Sequence, residues 1–261
     1  MAGNTLNISL IQADIIWEDK AANLAQYEQY IDGIQEKKEV VVLPEMFSTG
    51  FTMNTQALGE TMDGPTVQWM KDMAAKYRCI LTGSLIIQEG EHYYNRLLWV
   101  QPDGVVGHYD KRHLFAYADE HNHFTAGGKR LITSVKGFRI CPMVCYDLRF
   151  PVWARNLGDV YDVLLYVANW PDKRSLAWKT LLQARAIENQ CYVVGVNRVG
   201  ADFRGLNYSG DSSVFGPLGE MICQETNKAI VQTVTLEKDV VTKTREQLPF
   251  LNDADKFVIV D

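Results

Sequence analysis

The sequence contains no C-x-x-C pair, no run of lysine or arginine, and no apolar stretch near the roughly 20 residues that a membrane helix requires. Each absence removes a class of protein. The five cysteines (Cys79, Cys141, Cys145, Cys191 and Cys223) are odd in number, and four lie in strongly apolar surroundings. That usage fits reduced thiols in a cytosolic protein rather than a disulfide framework. The formal net charge is −6 with no basic patch, so nucleic acid is not expected as a partner. No glycine-rich phosphate loop or dinucleotide fingerprint occurs, which argues against a nucleotide cofactor. The opening Met-Ala-Gly-Asn-Thr lacks a basic region followed by an apolar one, so no signal peptide is expected and the reading is cytoplasmic.

What is present is an ordinary globular composition, 47% hydrophobic and 22% charged over 261 residues, enough to bury a large core without staples. Residues 6–15 alternate and read as a strand. Residues 19–38 carry Leu24, Tyr27, Tyr30, Ile31 and Ile34 at helical spacing. The apolar run 40–43 reads as a strand buried on both faces, stopped by Pro44. Residues 65–77 read as a helix opened by proline, and 79–87 as the next strand. Hairpins are expected across Pro102-Asp103-Gly104 and Lys136-Gly137. Further strands are expected at 162–168, 191–196, 212–215, 220–223 and 230–236. Helices are expected at about 151–158 and at 175–190, the latter with Leu181, Leu182 and Ile187 inward. The apolar tail 257–260 reads as an interface segment or a last edge strand. No linker, repeat or low-complexity segment breaks the chain, so residues 1–261 are expected to form one α/β domain with mixed sheets.

Three ionisable residues fall at predicted strand ends, where a rigid sheet positions the loop that follows. Glu45 follows the 40–43 strand, Lys111 the 105–109 strand, and Cys145 closes 138–145. Alone, each has an ordinary explanation: a solvated loop, a charged turn, a small core residue. Together they carry a resemblance. Leu43-Pro44-Glu45, Tyr109-Asp110-Lys111-Arg112-His113-Leu114-Phe115 and Val144-Cys145-Tyr146-Asp147-Leu148-Arg149-Phe150-Pro151 stand in order, with Glu120, Phe124-Thr125-Ala126-Gly127, Asn169-Trp170-Pro171 and Gln183–Gln190 between and after them. From about residue 6 to 236 the chain resembles the nitrilase, or carbon-nitrogen hydrolase, superfamily, and within it the ω-amidase branch.

The resemblance implies a four-layer α-β-β-α sandwich with two mixed sheets, no metal and no cofactor. It implies Cys145 as nucleophile, Glu45 as general base and acid, Lys111 as the electrostatic group and Glu120 as a supporting carboxylate, with the Tyr146 backbone N–H in the oxyanion site. It also implies a homodimer or higher homo-oligomer. The implied substrates are terminal amides of short 2-oxo dicarboxylic acids, such as 2-oxoglutaramate. A thiol attacks as thiolate, and an amide nitrogen leaves poorly, so a base, a cation and a two-step route through a thioester suit the reaction. A carboxylate-bearing substrate requires a cation or N–H donors: Arg149, Arg174 and Arg198 are candidates, Arg149 equally as a structural partner of Asp147 or of an acidic helix. Phe115, Tyr117, Phe124 and Trp170 are candidate pocket walls. Four other readings compete: another carbon-nitrogen hydrolase with the same trio (an N-carbamoyl hydrolase, aliphatic amidase or nitrilase), a Cys145–His113 hydrolase, a metal site at His121-Asn122-His123, and a catalytically silent binding protein on the same fold.

Overall fold

The computed structural model describes residues 4–260. In chain order the elements are β1 (Thr5–Gln12), α1 (Lys20–Asp32), β2 (Val40–Val42), α2 (Thr55–Leu58), α3 (Pro65–Tyr77), β3 (Ile80–Glu89), β4 (His92–Val100), β5 (Val106–Asp110), β6 (Thr133–Val135) and β7 (Phe138–Val144). There follow α4 (Pro151–Ala154), β8 (Val163–Ala168), α5 (Ser175–Asn189), β9 (Tyr192–Asn197), β10 (Val199–Ala201), β11 (Asn207–Phe215), β12 (Met221–Thr226), β13 (Ile230–Glu237) and α6 (Lys238–Gln247). Short 3₁₀ turns occupy Ala116–Ala118, Glu120–Asn122 and Cys145–Arg149.

Two mixed sheets result. The first runs β13-β1-β2-β3-β4-β5; the second runs β10-β11-β9-β8-β7-β6, with β12 also paired to β11. The run that read as doubly buried, β2, is the centre of the parallel set β1–β2–β3, and β7–β8–β9 form the parallel set of the second sheet. The sheets pack face to face: Leu6, Ile8, Leu10, Val40, Leu97 and Trp99 of the first share one core with Ile140, Val144, Leu165 and Val194 of the second. The outer face of the first sheet lies under α1 and α3, where Tyr27, Ile31, Val67 and Met70 cover Val41, Leu81 and Leu98. Trp178, Leu182 and Ala186 of α5 cover the second. This is the expected α-β-β-α sandwich. Each fully buried aliphatic side chain contributes about 1.5–3 kcal/mol.

The differences have local causes. The first helix ends at Asp32, with Gly33 as its cap, rather than running to 38. The expected helix at 151–158 is a single turn. Ile187 is 52% exposed; the covered face of α5 instead takes Arg185 and Asn189, whose side chains bond the Leu148 carbonyl and the Asn156 amide. The tail from 257 to 260 forms no strand and is exposed. The cysteines are all unpaired, and four of the five are buried. Among the described residues no helix is long and apolar enough to cross a membrane.

Candidate active site

Glu45 and Lys111 leave two strands of the first sheet, β2 and β5, and Cys145 leaves β7 of the second; the packing of the two sheets brings them together. Glu45 follows β2 and is fully buried. Its backbone is pinned by Asn169, whose Nδ2 donates to the Glu45 carbonyl at 2.5 Å. Lys111 follows β5, with its N–H on the Asn95 carbonyl at 3.0 Å. Cys145 follows β7 and opens a 3₁₀ turn, so it is not the last strand residue; its φ is +46°. That left-handed conformation is strained for a residue with a Cβ.

Asp147 holds the turn. Its Oδ2 accepts from the Val144 N–H at 3.1 Å and the Tyr109 hydroxyl at 2.7 Å, and its Oδ1 accepts from the His113 N–H at 3.0 Å. The first amides of such a turn have no partner within it, so the Tyr146 N–H, directly after Cys145, is available to a ligand.

The charged centre is dry. Lys111 Nζ donates to Glu45 Oε1 at 2.9 Å and to both oxygens of Glu120 at 2.9 Å. Glu120 also accepts from the Phe115 N–H at 2.6 Å and is fully buried. Burial pulls the Lys111 ammonium down, but Glu120, Glu45 and Cys145 together outweigh it and hold it above its ordinary range. Burial pushes the Glu120 carboxyl up, Lys111 opposes and Glu45 reinforces, leaving it raised. The Cys145 thiol is pushed well up by burial and by the Glu45 carboxylate to which it is hydrogen-bonded, against Lys111. Burial and the neighbouring carboxylate thus favour the neutral form of this thiol.

Above Cys145 opens a cavity of about 500 Å³. Its lining includes Phe115, Tyr117, Tyr146, Arg149, Trp170 and Arg174, together with Trp17, Glu18, Phe51, Met53, Phe203 and Tyr208. Arg149 lies over the Trp170 ring at 4.8 Å and Arg174 over the Phe115 ring at 5.4 Å. Among the described residues neither guanidinium has an acidic partner, so Arg149 is not the structural mate of Asp147. Arg198, by contrast, is fully buried and spends its donors on Asp14, Ile15, Val199 and Ala201, off the cavity wall. Phe124 packs on Met46 and Ile86 and does not wall the cavity.

His113 stacks on Phe150 with ring centroids 3.7 Å apart and pairs through Nδ1 with Asp147 at 2.8 Å. The side chain bonded to Cys145 is Glu45, which removes the cysteine–histidine reading. His121 and His123 are exposed, and His123 faces Asp119 at 3.4 Å. Sequence reasoning missed Asn95, whose Nδ2 bridges Glu45 and Glu120, and the Trp17–Phe203 pair, 4.3 Å apart at the cavity rim. The one signal for Asn95 was a short polar residue between Tyr94 and Leu97 in a strand.

The carbon-nitrogen hydrolase family model matches residues 7–246. The chain is 47% identical to the omega-amidase YafV of Escherichia coli strain K12, over 97% of this chain and 98% of that one. It is 31% identical to the 2-oxoglutaramate amidase of Bacillus subtilis strain 168, over 95% and 97% of the two chains. A crystal structure of XC1258 from Xanthomonas campestris, a CN-hydrolase superfamily protein with an arsenic adduct in its active site, superposes with a TM-score of 0.95 at 44% identity, covering 98% of this chain and 99% of that one.

Proposed function

Because the chain belongs to the carbon-nitrogen hydrolase family, we propose that it is an amidase that hydrolyses the terminal amide of short 2-oxo dicarboxylic acid monoamides, 2-oxoglutaramate and 2-oxosuccinamate, to the acid and ammonia. The observation that carries the reading is a buried thiol bonded to a carboxylate that also holds an ammonium, at the floor of a cavity with two unpaired guanidinium groups. The near-full-length likeness to an omega-amidase supports the substrate class.

Arg149 and Arg174 take the substrate carboxylate, and Phe115, Tyr146 and Trp170 line its chain. Glu45 removes the Cys145 proton as sulfur bonds to the amide carbon. The oxyanion that forms is held by Lys111 and the Tyr146 N–H; one such donor is worth about 3–4 kcal/mol of barrier. Glu45 returns the proton to nitrogen as the C–N bond breaks. Ammonia leaves and a thioester remains. Water then gives a proton to Glu45 and its oxygen to the acyl carbon, and the thiol is restored as the acid departs. Glu120 anchors Lys111 throughout.

The whole chain acts as one catalytic unit. Its unpaired thiols support a cytoplasmic setting, and the Val258 and Val260 side chains, 86% and 83% exposed, support burial in a homodimer.

An ammonia-release assay over 2-oxoglutaramate, succinamate, glutamine, N-carbamoyl amines and simple nitriles tests the reading. The dicarboxylic monoamides are expected to dominate, and Cys145→Ala to abolish turnover with the circular dichroism unchanged. Nitriles or carbamoyl compounds turned over far better would refute the substrate class; an active Cys145→Ala enzyme would refute the mechanism.

A further inference from the structure

Four side-chain atoms close a ring in which donors and acceptors alternate. Lys111 Nζ donates to Glu45 Oε1 at 2.9 Å and to Glu120 Oε1 at 2.9 Å. Opposite it, Asn95 Nδ2 donates to the same two oxygens, at 2.8 Å and 3.2 Å. All four residues are buried. One ammonium thus serves two carboxylates, and without a second donor they would repel across it. Asn95 supplies that donor without adding charge.

The ring also distinguishes the two oxygens of Glu45. A carboxylate oxygen carries two lone pairs. Oε1 spends both, on Lys111 and Asn95. Oε2 spends one, on the Asn169 N–H at 2.8 Å, which leaves the other for the Cys145 thiol bonded to this carboxylate. We propose that Asn95 is a positioning residue: it keeps Glu45 ionised beside Glu120 and confines proton transfer to Oε2. The inference rests on the reading of Glu45 as the base. The Asn95 backbone supports the assignment, because its carbonyl takes the Lys111 N–H at 3.0 Å and so fixes both donors of the ring on adjacent strands.

The titratable groups that face Glu45 are Lys111 from the end of β5, Glu120 from the turn that follows, Cys145 from the turn after β7, and Tyr208 from β11. Lys111 is the one cation among them. Removing the Asn95 donor therefore makes the carboxylate easier to protonate, and the base form is lost at higher pH than in the native enzyme.

The test is the pH profile of kcat/KM on succinamate for Asn95→Leu, close in shape and without a donor, with Asn95→Ala in parallel in case the leucine does not fold. The acid limb is expected to move up by about one to two pH units, so that the loss is largest at low pH and shrinks as pH rises. Asn95→Asp, which brings a third carboxylate into the ring, is expected to move the limb further. A bond that merely supported the fold would lower the profile evenly. An acid limb left at the native pH in the folded apolar variant overturns the proposal. Glu45→Gln separates the two levels: if it is inactive while the Asn95 limb does not move, only this inference fails; if it is active, the reading of Glu45 fails first.

Discussion

Lys111 meets both oxygens of Glu120 at 2.9 Å, two contacts against the single one, also 2.9 Å, that it makes with Glu45. Glu120 is therefore the main anchor of a cation that has no access to water. Truncating one member of a buried pair leaves the other uncompensated, which typically destabilises by about 3–5 kcal/mol. Glu120→Ala is expected to lose stability of that size in urea unfolding. Its kcat is expected to fall by roughly 10²-fold, because Lys111 is no longer held where the oxyanion forms. Wild-type turnover in this variant would show that Glu120 does not position the ammonium.

The two unpaired arginines give a substrate-dependent prediction. Arg149 and Arg174 line the cavity with Trp170 and Phe115, each guanidinium lying over one of those rings. A charge-assisted hydrogen bond contributes about 1.5–3 kcal/mol, a factor of roughly 10–100. Arg149→Met and Arg174→Met are each expected to lower kcat/KM for 2-oxoglutaramate by that factor, mainly through KM. Turnover of a neutral amide such as propionamide, low to begin with, should change by less than about threefold. Equal losses on both substrates would place the arginines in the scaffold of the cavity instead.

How much of this was legible in the sequence depends on how far apart the cooperating groups lie along the chain. Glu45, Lys111 and Cys145 each sit inside a short, recognisable run at a strand end, so motif and periodicity pointed to the same places. Most individual strands and helices followed from apolar runs and their spacing, and the two-sheet sandwich from the family resemblance. Ile187 misled because residue type alone assigned the inner face of α5, whereas Arg185 and Asn189 go inside to satisfy backbone groups of the neighbouring loops. Helix α6 went unnoticed because Val241 is its one buried residue, and β13 runs into it without a break. Arg198 follows a strand just as Arg149 follows the nucleophile, but it turns inward to tie Asp14 and Ile15 to the β10 hairpin, a contact across more than 180 residues. Asn95 is the same case: its role exists only once Glu45 and Glu120, 50 and 25 residues away, have converged on it.

Away from the cavity, Asp162 gives the fold an acid-sensitive point. Its buried carboxylate takes Arg139 through Nε at 3.1 Å and Nη2 at 2.8 Å, Arg245 through Nη1 at 3.3 Å, and the Lys238 ammonium. It thereby joins β7, the start of β8 and α6. Burial alone would raise its pKa; the Arg139 and Lys238 hydrogen bonds outweigh that and hold it at about 2, against 3.8 for an unperturbed group. A carboxylate depressed in the folded state stabilises fully above its unfolded value and loses that contribution as pH falls through its folded value. The window is therefore pH 4 to 2, and the shift corresponds to about 2 kcal/mol. Asp162→Asn keeps the shape and removes the charge. It is expected to unfold at lower urea than the native protein at pH 7, with a gap that narrows steadily from pH 4 toward pH 2, while amidase activity at neutral pH persists in the folded fraction. A gap that stays constant down to pH 2 would mean that the three cations are not what holds this carboxylate ionised.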